Sequence, residues 1–187
     1  MTSAAGDMNR TQLLIVLWIL LGSLGLSCER PSPEDKTSAT PPPGDSKFRE
    51  IHSIPDGIRV SHSPNPVRAV RDVQHRYTFT WKYRTAVSSP ADDVRITEFG
   101  CFTWDGSRWV FSNYTAKPFT KSDFAEWYSC PDGVLQPRES YEDPQNWGGS
   151  SALQTIRSLW YFVGTRADGT KVKGTAEVQY LGELGFP

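Results

Sequence analysis

The chain has 187 residues, and its 20 Lys and Arg side chains nearly balance its 21 Asp and Glu side chains. The two signs are interspersed, so the sequence has neither the basic patch of a nucleic-acid-binding protein nor an acidic block for a cationic partner. The N-terminal part of the chain differs in composition from the rest, and the part that follows it has the length of one ordinary domain. We therefore predict a single folded domain and no nucleic-acid partner.

An apolar stretch near the N-terminus is typical of an export signal. It runs from Leu13 to Ser27, 15 residues without a charge, which is shorter than the ~20 residues that a membrane-spanning helix needs. Small residues lie at its C-terminal end, as they do before a signal-peptide cleavage site. We interpret residues 1–27 as a cleaved signal peptide, with translation starting at either Met1 or Met8.

The end of this stretch resembles the lipobox of bacterial lipoproteins, in which a small residue precedes a Cys that is acylated and becomes the new N-terminus. The resemblance is carried by Leu24-Gly25-Leu26-Ser27-Cys28, with Gly25 where the family usually has Leu, Val or Ile. It implies a palmitate-type lipid anchor on Cys28. Because Glu29 replaces the Asp that retains family members at the inner membrane, it also implies the outer membrane or cell surface. The alternatives are secretory cleavage that releases a soluble protein, and an uncleaved anchor.

The segment 28–46 differs in composition from the rest of the chain. It has no aromatic residue and is rich in Ser, Thr and proline, including Pro31, Pro33, Pro41, Pro42 and Pro43. Such a segment cannot bury enough apolar surface to offset the entropy cost of ordering it. We predict a tether without a fixed fold, followed by one β domain over residues 47–187.

Three cysteines in an exported chain leave one unpaired thiol unless one of them has another role. Acylation of Cys28 leaves Cys101 and Cys130, which we predict to form a disulfide in an oxidising compartment. Two buried free thiols are the alternative. Neither Cys has a His or a third Cys at ligand spacing, so we predict no metal site and no cofactor.

Alternation of apolar and polar residues predicts most of the strands. It is strongest over residues 76–87, where Trp81 and Tyr83 share one face with neighbouring aromatic residues, as in a strand with one buried side. Weaker strands are predicted at 57–61 and 67–73.

A hairpin is predicted after this strand. Its first strand covers residues 94–104 and contains a β-bulge, because the apolar phase slips between Ile96 and Phe99. An Asp-Gly turn leads to a return strand over 108–114. Trp104 and Trp109 flank the turn, so we expect them to form a cross-strand pair.

The second half of the domain contains the one predicted helix, over residues 121–129. Thr120 or Ser122 can cap its N-terminus. A long polar loop is predicted over 137–151, and a second hairpin has strands at 155–165 and 171–181. Hairpin-connected strands with one short helix indicate a mainly β fold. We expect either an antiparallel β-sandwich with an immunoglobulin-like or fibronectin-like layout, or an open barrel.

Trp147 is the most unusual aromatic residue, because it lies in the predicted polar loop. An indole there either packs onto the core or is presented to a ligand. For a carbohydrate ligand, Trp147, Tyr141 and Tyr114 would stack on sugar rings, while Asn146 and Glu142 would bind hydroxyl groups.

Catalytic chemistry has little support in the sequence. There is no G-x-S-x-G motif and no phosphate-binding glycine pattern. Glu98 on the bulged strand is the best candidate for a catalytic carboxylate, but an outward orientation or a basic partner is the simpler interpretation. Function therefore falls into three classes: a lipid-anchored envelope protein whose non-catalytic domain binds a protein partner or has a structural role, a carbohydrate-binding module, and an enzyme of unrecognised type.

Overall fold

The computed structural model describes residues 43–72 and 77–185. The predicted signal peptide, Cys28 and residues 29–42 lie outside this part of the chain. The described part contains two α-helices, α1 (Pro43–Ser53) and α2 (Lys121–Trp127), and a short 3-10 helix at Pro131–Gly133. Its ten strands are β1 (Arg59–Ser63), β2 (Val67–Arg71), β3 (Phe79–Ser88), β4 (Val94–Trp104), β5 (Trp109–Phe111), β6 (Phe119–Thr120), β7 (Val134–Leu135), β8 (Ser140–Ser150), β9 (Ile156–Arg166) and β10 (Lys171–Leu184).

The ten strands form one mixed sheet that curls into a half-barrel. The order along its main path is β1-β3-β2-β10-β9-β4-β5, with β8 paired to β3, and β6 and β7 paired to β4. The paired strands of the described chain are antiparallel except for β2, which runs parallel to β10. The predicted mainly β fold is confirmed, and the open-barrel description fits this continuous sheet.

The alternation that the sequence shows is present in β3. On β3, Trp81 and Tyr83 are buried, whereas Lys82 between them is exposed. β4 has the predicted bounds, and its pairing with β9 shifts register between Ile96 and Glu98. The slip of the apolar phase is therefore a β-bulge, as predicted.

The inner face of the half-barrel encloses the main core, and α2 covers it. Phe124 stacks on Tyr128 with ring centroids 4.4 Å apart, and both meet Phe99 of β4 edge-on. A capping box starts the helix: the Thr120 side chain accepts from the Asp123 backbone N–H, and the Asp123 side chain accepts from the Thr120 backbone N–H. The predicted helix is confirmed.

α1 corrects the prediction that all of residues 28–46 form a tether, because this helix begins at Pro43. Proline is favoured at the first helical position, where its missing N–H costs no hydrogen bond. Phe48, Ile51 and Ile54 follow at intervals of three residues. They pack on the outer face of the sheet against a second apolar cluster, which contains Phe102, Tyr161 and Val163. The sheet therefore has a helix on each face.

β8 corrects the prediction of a polar loop over residues 137–151. It pairs with β3 along its length, although its proline and glycines have a low preference for strands. The glycines allow close approach: a Cβ at Gly148 would lie 2.8 Å from the Tyr180 ring, and one at Gly149 would lie 2.5 Å from the Tyr77 ring. Tertiary packing, rather than intrinsic propensity, decides this element.

Candidate functional surface

β8 carries four of the five residues predicted to bind a ligand, but it places its two aromatic residues on opposite faces of the sheet. Trp147 lies opposite the exposed Lys82 and is half-buried, with its ring centroid 6.3 Å from that of Tyr77. Tyr141 lies opposite the buried Val87 and packs against the main core. Cross-strand partners share a face, so Trp147 is on the outer face and Tyr141 on the inner face.

Glu142 and Tyr114 also lie in different parts of the structure. Glu142 on β8 pairs with Arg84, at 3.5 Å between Oε2 and a guanidinium nitrogen. Tyr114 follows β5, is 43% exposed, and contacts the Phe119 ring at 5.5 Å between centroids. The three aromatic residues predicted to stack on a sugar therefore do not form a common platform.

Asn146 is buried in a hydrogen-bond network that joins β8, β3, β1 and β10. Its Nδ2 donates to Thr85 Oγ1 at 2.8 Å, and its Oδ1 accepts from the Trp147 backbone N–H. Thr85 Oγ1 also lies 3.0 Å from Nδ1 of His62, whose Nε2 lies 3.2 Å from the Ala176 carbonyl oxygen. Burial lowers the pKa of His62 to about 4, against the opposing effect of that carbonyl. The Asn146 amide thus stabilises the interior of the protein.

The disulfide predicted between Cys101 and Cys130 is not formed, and both residues are buried free thiols. Cys101 Sγ lies 3.4 Å from Ser112 Oγ, whereas Cys130 Sγ donates to the Val134 carbonyl at 3.3 Å. The two sulfurs thus have different partners, one on β4 beside β5 and one after α2. Burial raises the pKa of each thiol to about 11, which disfavours the nucleophilic thiolate.

Glu98 lies beside α1, where its carboxylate has a basic partner. The Nζ of Lys47 is 2.7 Å from Glu98 Oε1, and this ion pair links α1 to β4. The simpler interpretation of Glu98 therefore agrees with the structure. Within residues 43–72 and 77–185, no group of three or more His, Cys, Asp or Glu side chains is arranged to hold a metal ion.

A separate aromatic cluster lies on the outer face of the sheet beside α1. Trp104 and Trp109 are directly opposite each other in the β4–β5 hairpin, edge to face, with ring centroids 5.4 Å apart. Phe48 of α1 stacks on Trp109 at 6.3 Å. The guanidinium of Arg157 on β9 lies 5.5 and 5.3 Å from the two indole centroids. We call these four residues the outer aromatic surface.

Local hydrogen bonds hold the outer aromatic surface in place. At the hairpin turn, Asp105 Oδ1 accepts from the backbone N–H groups of Ser107 and Arg108, both at 2.9 Å. These bonds lower the pKa of Asp105 to about 2. Arg157 is fixed by a bidentate pair with Glu177 at 2.6 and 2.7 Å, so its position over the indoles is supported from a neighbouring strand.

The outer aromatic surface combines properties that suit a binding surface. Trp104, Trp109 and Phe48 are half-buried, so each of these residues keeps part of its surface in contact with solvent. Trp and Arg dominate the binding energy of many protein interfaces. Because the side chains are already ordered, little entropy remains to be lost when a partner covers them.

The sequence predicts the Trp104–Trp109 pair but not the other two members of this surface. Phe48 lies next to the predicted tether, and its only signal is the three-residue spacing with Ile51 and Ile54. Arg157 is brought to the pair by the pairing of β9 with β4, about which local sequence carries no signal.

Comparison with protein-family models, curated proteins and solved structures finds no match to this chain. Among the described residues, none of the helices has the length and apolar character needed to cross a lipid bilayer. Function has to be inferred from the residues themselves and from their arrangement.

Proposed function

We propose that this chain is a lipid-anchored envelope protein whose non-catalytic β domain binds a protein partner through the outer aromatic surface. The observation that supports the binding role is the fixed arrangement on the outer face, in which the exposed guanidinium of Arg157 lies over the half-buried indoles of Trp104 and Trp109. The anchor is supported by the resemblance of residues 24–28 to a lipobox, with acylation at Cys28.

α1 connects the proposed tether to the outer aromatic surface. Residues 29–42 separate Cys28 from α1, and a polyproline II chain of that length would span roughly 40 Å. Phe48 of α1 is itself part of the outer aromatic surface. The proposed tether therefore leads to the side of the domain that carries this surface, within reach of other proteins of the same envelope layer.

The two other functions have less support. A carbohydrate-binding module centred on Trp147 would need Tyr141 and Tyr114 nearby, but these residues lie on separate surfaces. Glu98, the candidate for a catalytic carboxylate, is instead engaged in an ion pair with Lys47 that links α1 to β4.

Metabolic labelling with a palmitate analogue tests the anchor. We expect the wild type to incorporate the label and to fractionate with membranes, and Cys28→Ser to lose the label and to leave the membrane fraction. Cys130→Ser is the matched control and should remain labelled, since that thiol is buried in the domain. Labelling that persists in Cys28→Ser would contradict the anchor assignment.

Site-specific photo-cross-linking in intact cells tests the partner surface. A photoreactive residue at Ser107, in the turn between Trp104 and Trp109, should give a discrete adduct with an envelope protein. The same residue at Asp168, in the turn between β9 and β10, should not. Trp109→Ala should weaken the interaction by about thirtyfold or more, as expected for a hot-spot tryptophan, whereas Trp147→Ala should leave the adduct unchanged. Identical adducts from both turns, or an adduct insensitive to Trp109→Ala, would refute this role.

A further inference from the structure

A groove of about 590 Å³ lies on the outer face of the sheet, where β1, β3, β8 and β10 come together. Its volume is within the range of small-molecule binding sites. Residues from four strands form its walls, so its shape is fixed by the sheet. The lining is mostly polar, and it includes Arg59, Ser61, Ala86, Ser88, Ser140 and Thr175.

Strand register explains how these residues come together. Arg59 of β1 lies opposite Ser88 of β3, which lies opposite Ser140 of β8. In the next row on the same face, Ser61 lies opposite Ala86. Residues directly opposite each other share a face of the sheet. The short side chains in these rows leave the depression, and the long Arg59 side chain stands beside it.

Among the described residues that line the groove, five polar side chains have no partner in the protein. Within the described residues, Arg59 makes no ion pair or side-chain hydrogen bond, and the same holds for the hydroxyls of Ser61, Ser88, Ser140 and Thr175. Arg84, which also lies on the outer face of β3, is by contrast paired with Glu142. A concave surface with one unpaired guanidinium and four unpaired hydroxyls is suited to a ligand that is itself rich in hydroxyl groups.

We propose that this groove binds a saccharide that carries a carboxylate, of the uronic acid class. The planar guanidinium of Arg59 matches a carboxylate with two parallel charge-assisted hydrogen bonds. Serine and threonine hydroxyls both donate to and accept from the hydroxyls of a sugar ring. The small side chain of Ala86 leaves room for the ring above the sheet.

The charges of the groove distinguish this ligand from other classes. Asp56 also lines it, with its carboxylate 83% exposed and 3.0 Å from Lys173 Nζ. That carboxylate would repel a polyphosphate, yet it can accept hydrogen bonds from sugar hydroxyls. A neutral saccharide would leave the Arg59 guanidinium without a counter-charge. A sugar ring with one carboxylate and several hydroxyls can pair with the Arg59 guanidinium and also donate hydrogen bonds to the Asp56 carboxylate.

Isothermal titration of the full chain, purified in detergent, with digalacturonate and with its neutral counterpart galactobiose tests this proposal. We expect digalacturonate to bind at least tenfold more tightly than galactobiose, and Arg59→Gln to weaken digalacturonate binding about tenfold through loss of the charge-assisted pair. Arg49→Gln, which changes an exposed arginine of α1, is the matched control and should bind as the wild type does.

A second variant tests the shape of the groove. Ala86→Leu fills the depression from the outer face without entering the core, and it should abolish digalacturonate binding while the far-ultraviolet circular dichroism is retained. Equal affinity of the wild type and Arg59→Gln, unchanged affinity of Ala86→Leu, or absence of heat with millimolar digalacturonate would overturn the proposal. None of these results would affect the outer aromatic surface, which shares no residue with the groove.

Discussion

At the residue scale, the ring of His62 is held in its neutral form by its neighbours. The Ala176 carbonyl can only accept a hydrogen bond, so Nε2 carries the ring proton and Nδ1 accepts from the Thr85 hydroxyl. Asn146 donates to the same hydroxyl oxygen. A second proton on the ring would remove the acceptor that Thr85 uses, and burial disfavours the added charge.

We expect acid to destabilise the protein through His62. The pKa of this residue is lowered from 6.5 to about 4 in the fold, so the unfolded chain binds the proton first as the pH falls. The contribution to the free energy of unfolding is present above pH 6.5 and is lost between about pH 6.5 and 4, by up to about 3 kcal/mol.

Urea denaturation at pH 7 and pH 4.5 measures this contribution. The His62→Gln variant should lose less of its free energy of unfolding between the two pH values than the wild type does. His52→Gln, which changes an exposed histidine of α1, should follow the wild type. The same pH dependence in all three proteins would rule out a role for His62.

At the element scale, the position of α1 depends on one buried lysine of β10. Lys173 is 7% exposed, and its Nζ donates to the Ile54 carbonyl at 2.5 Å and lies 3.0 Å from Asp56 Oδ1. Its backbone N–H donates to the Pro55 carbonyl, and its own carbonyl accepts from the Gly57 N–H. Lys173 therefore holds the chain where it leaves α1 and enters β1.

We expect Lys173→Met to lower the free energy of unfolding by about 1–3 kcal/mol. The substitution keeps the apolar stem but leaves the Ile54 carbonyl without its donor. Lys171→Met is the matched control, because Lys171 lies two residues away on the same face of β10 but is exposed. Thermal or urea denaturation should show no change for the control, and equal stabilities of the two variants would show that α1 does not depend on this contact.

At the scale of the whole molecule, one sheet contributes to two cores. β4 supplies Phe99 to the inner core and Phe102 to the outer cluster, and β9 supplies Phe162 and Tyr161 in the same way. Successive residues of a strand point to opposite faces of the sheet, so the same strands supply side chains to both cores. We expect the domain to unfold as one cooperative unit.

Thiol reactivity measures this cooperativity. Cys101 and Cys130 are 2% and 0% exposed, and their raised pKa values disfavour the thiolate. In Cys28→Ser protein without reductant, we expect no reaction with Ellman's reagent in the folded state and two reactive thiols in guanidinium chloride. The loss of protection should coincide with the loss of circular dichroism. The absence of a reactive thiol after unfolding would mean that the two cysteines form a disulfide. Rapid reaction in the folded state would mean that the sheet opens locally.

The elements that depend on residues close to one another in the sequence could be predicted from the sequence. The buried face of β3, the bounds and bulge of β4, the capped helix α2 and the Trp104–Trp109 pair all follow from periodicity or turn chemistry within about a dozen residues. For these elements the local pattern and the final packing agree.

Only the tertiary structure decided the features that join distant parts of the chain. β8 forms a strand because it pairs with β3. α1 packs where it does because β4 and β9 have an apolar outer face. The two cysteines form no disulfide because each sulfur contacts a different partner in the fold. The register of four strands likewise assembles the groove beside Arg59. Such features depend on which surfaces meet after the sheet has curled, and pairing and burial then outweigh the weak local preferences of residues such as Pro144 and Gly148.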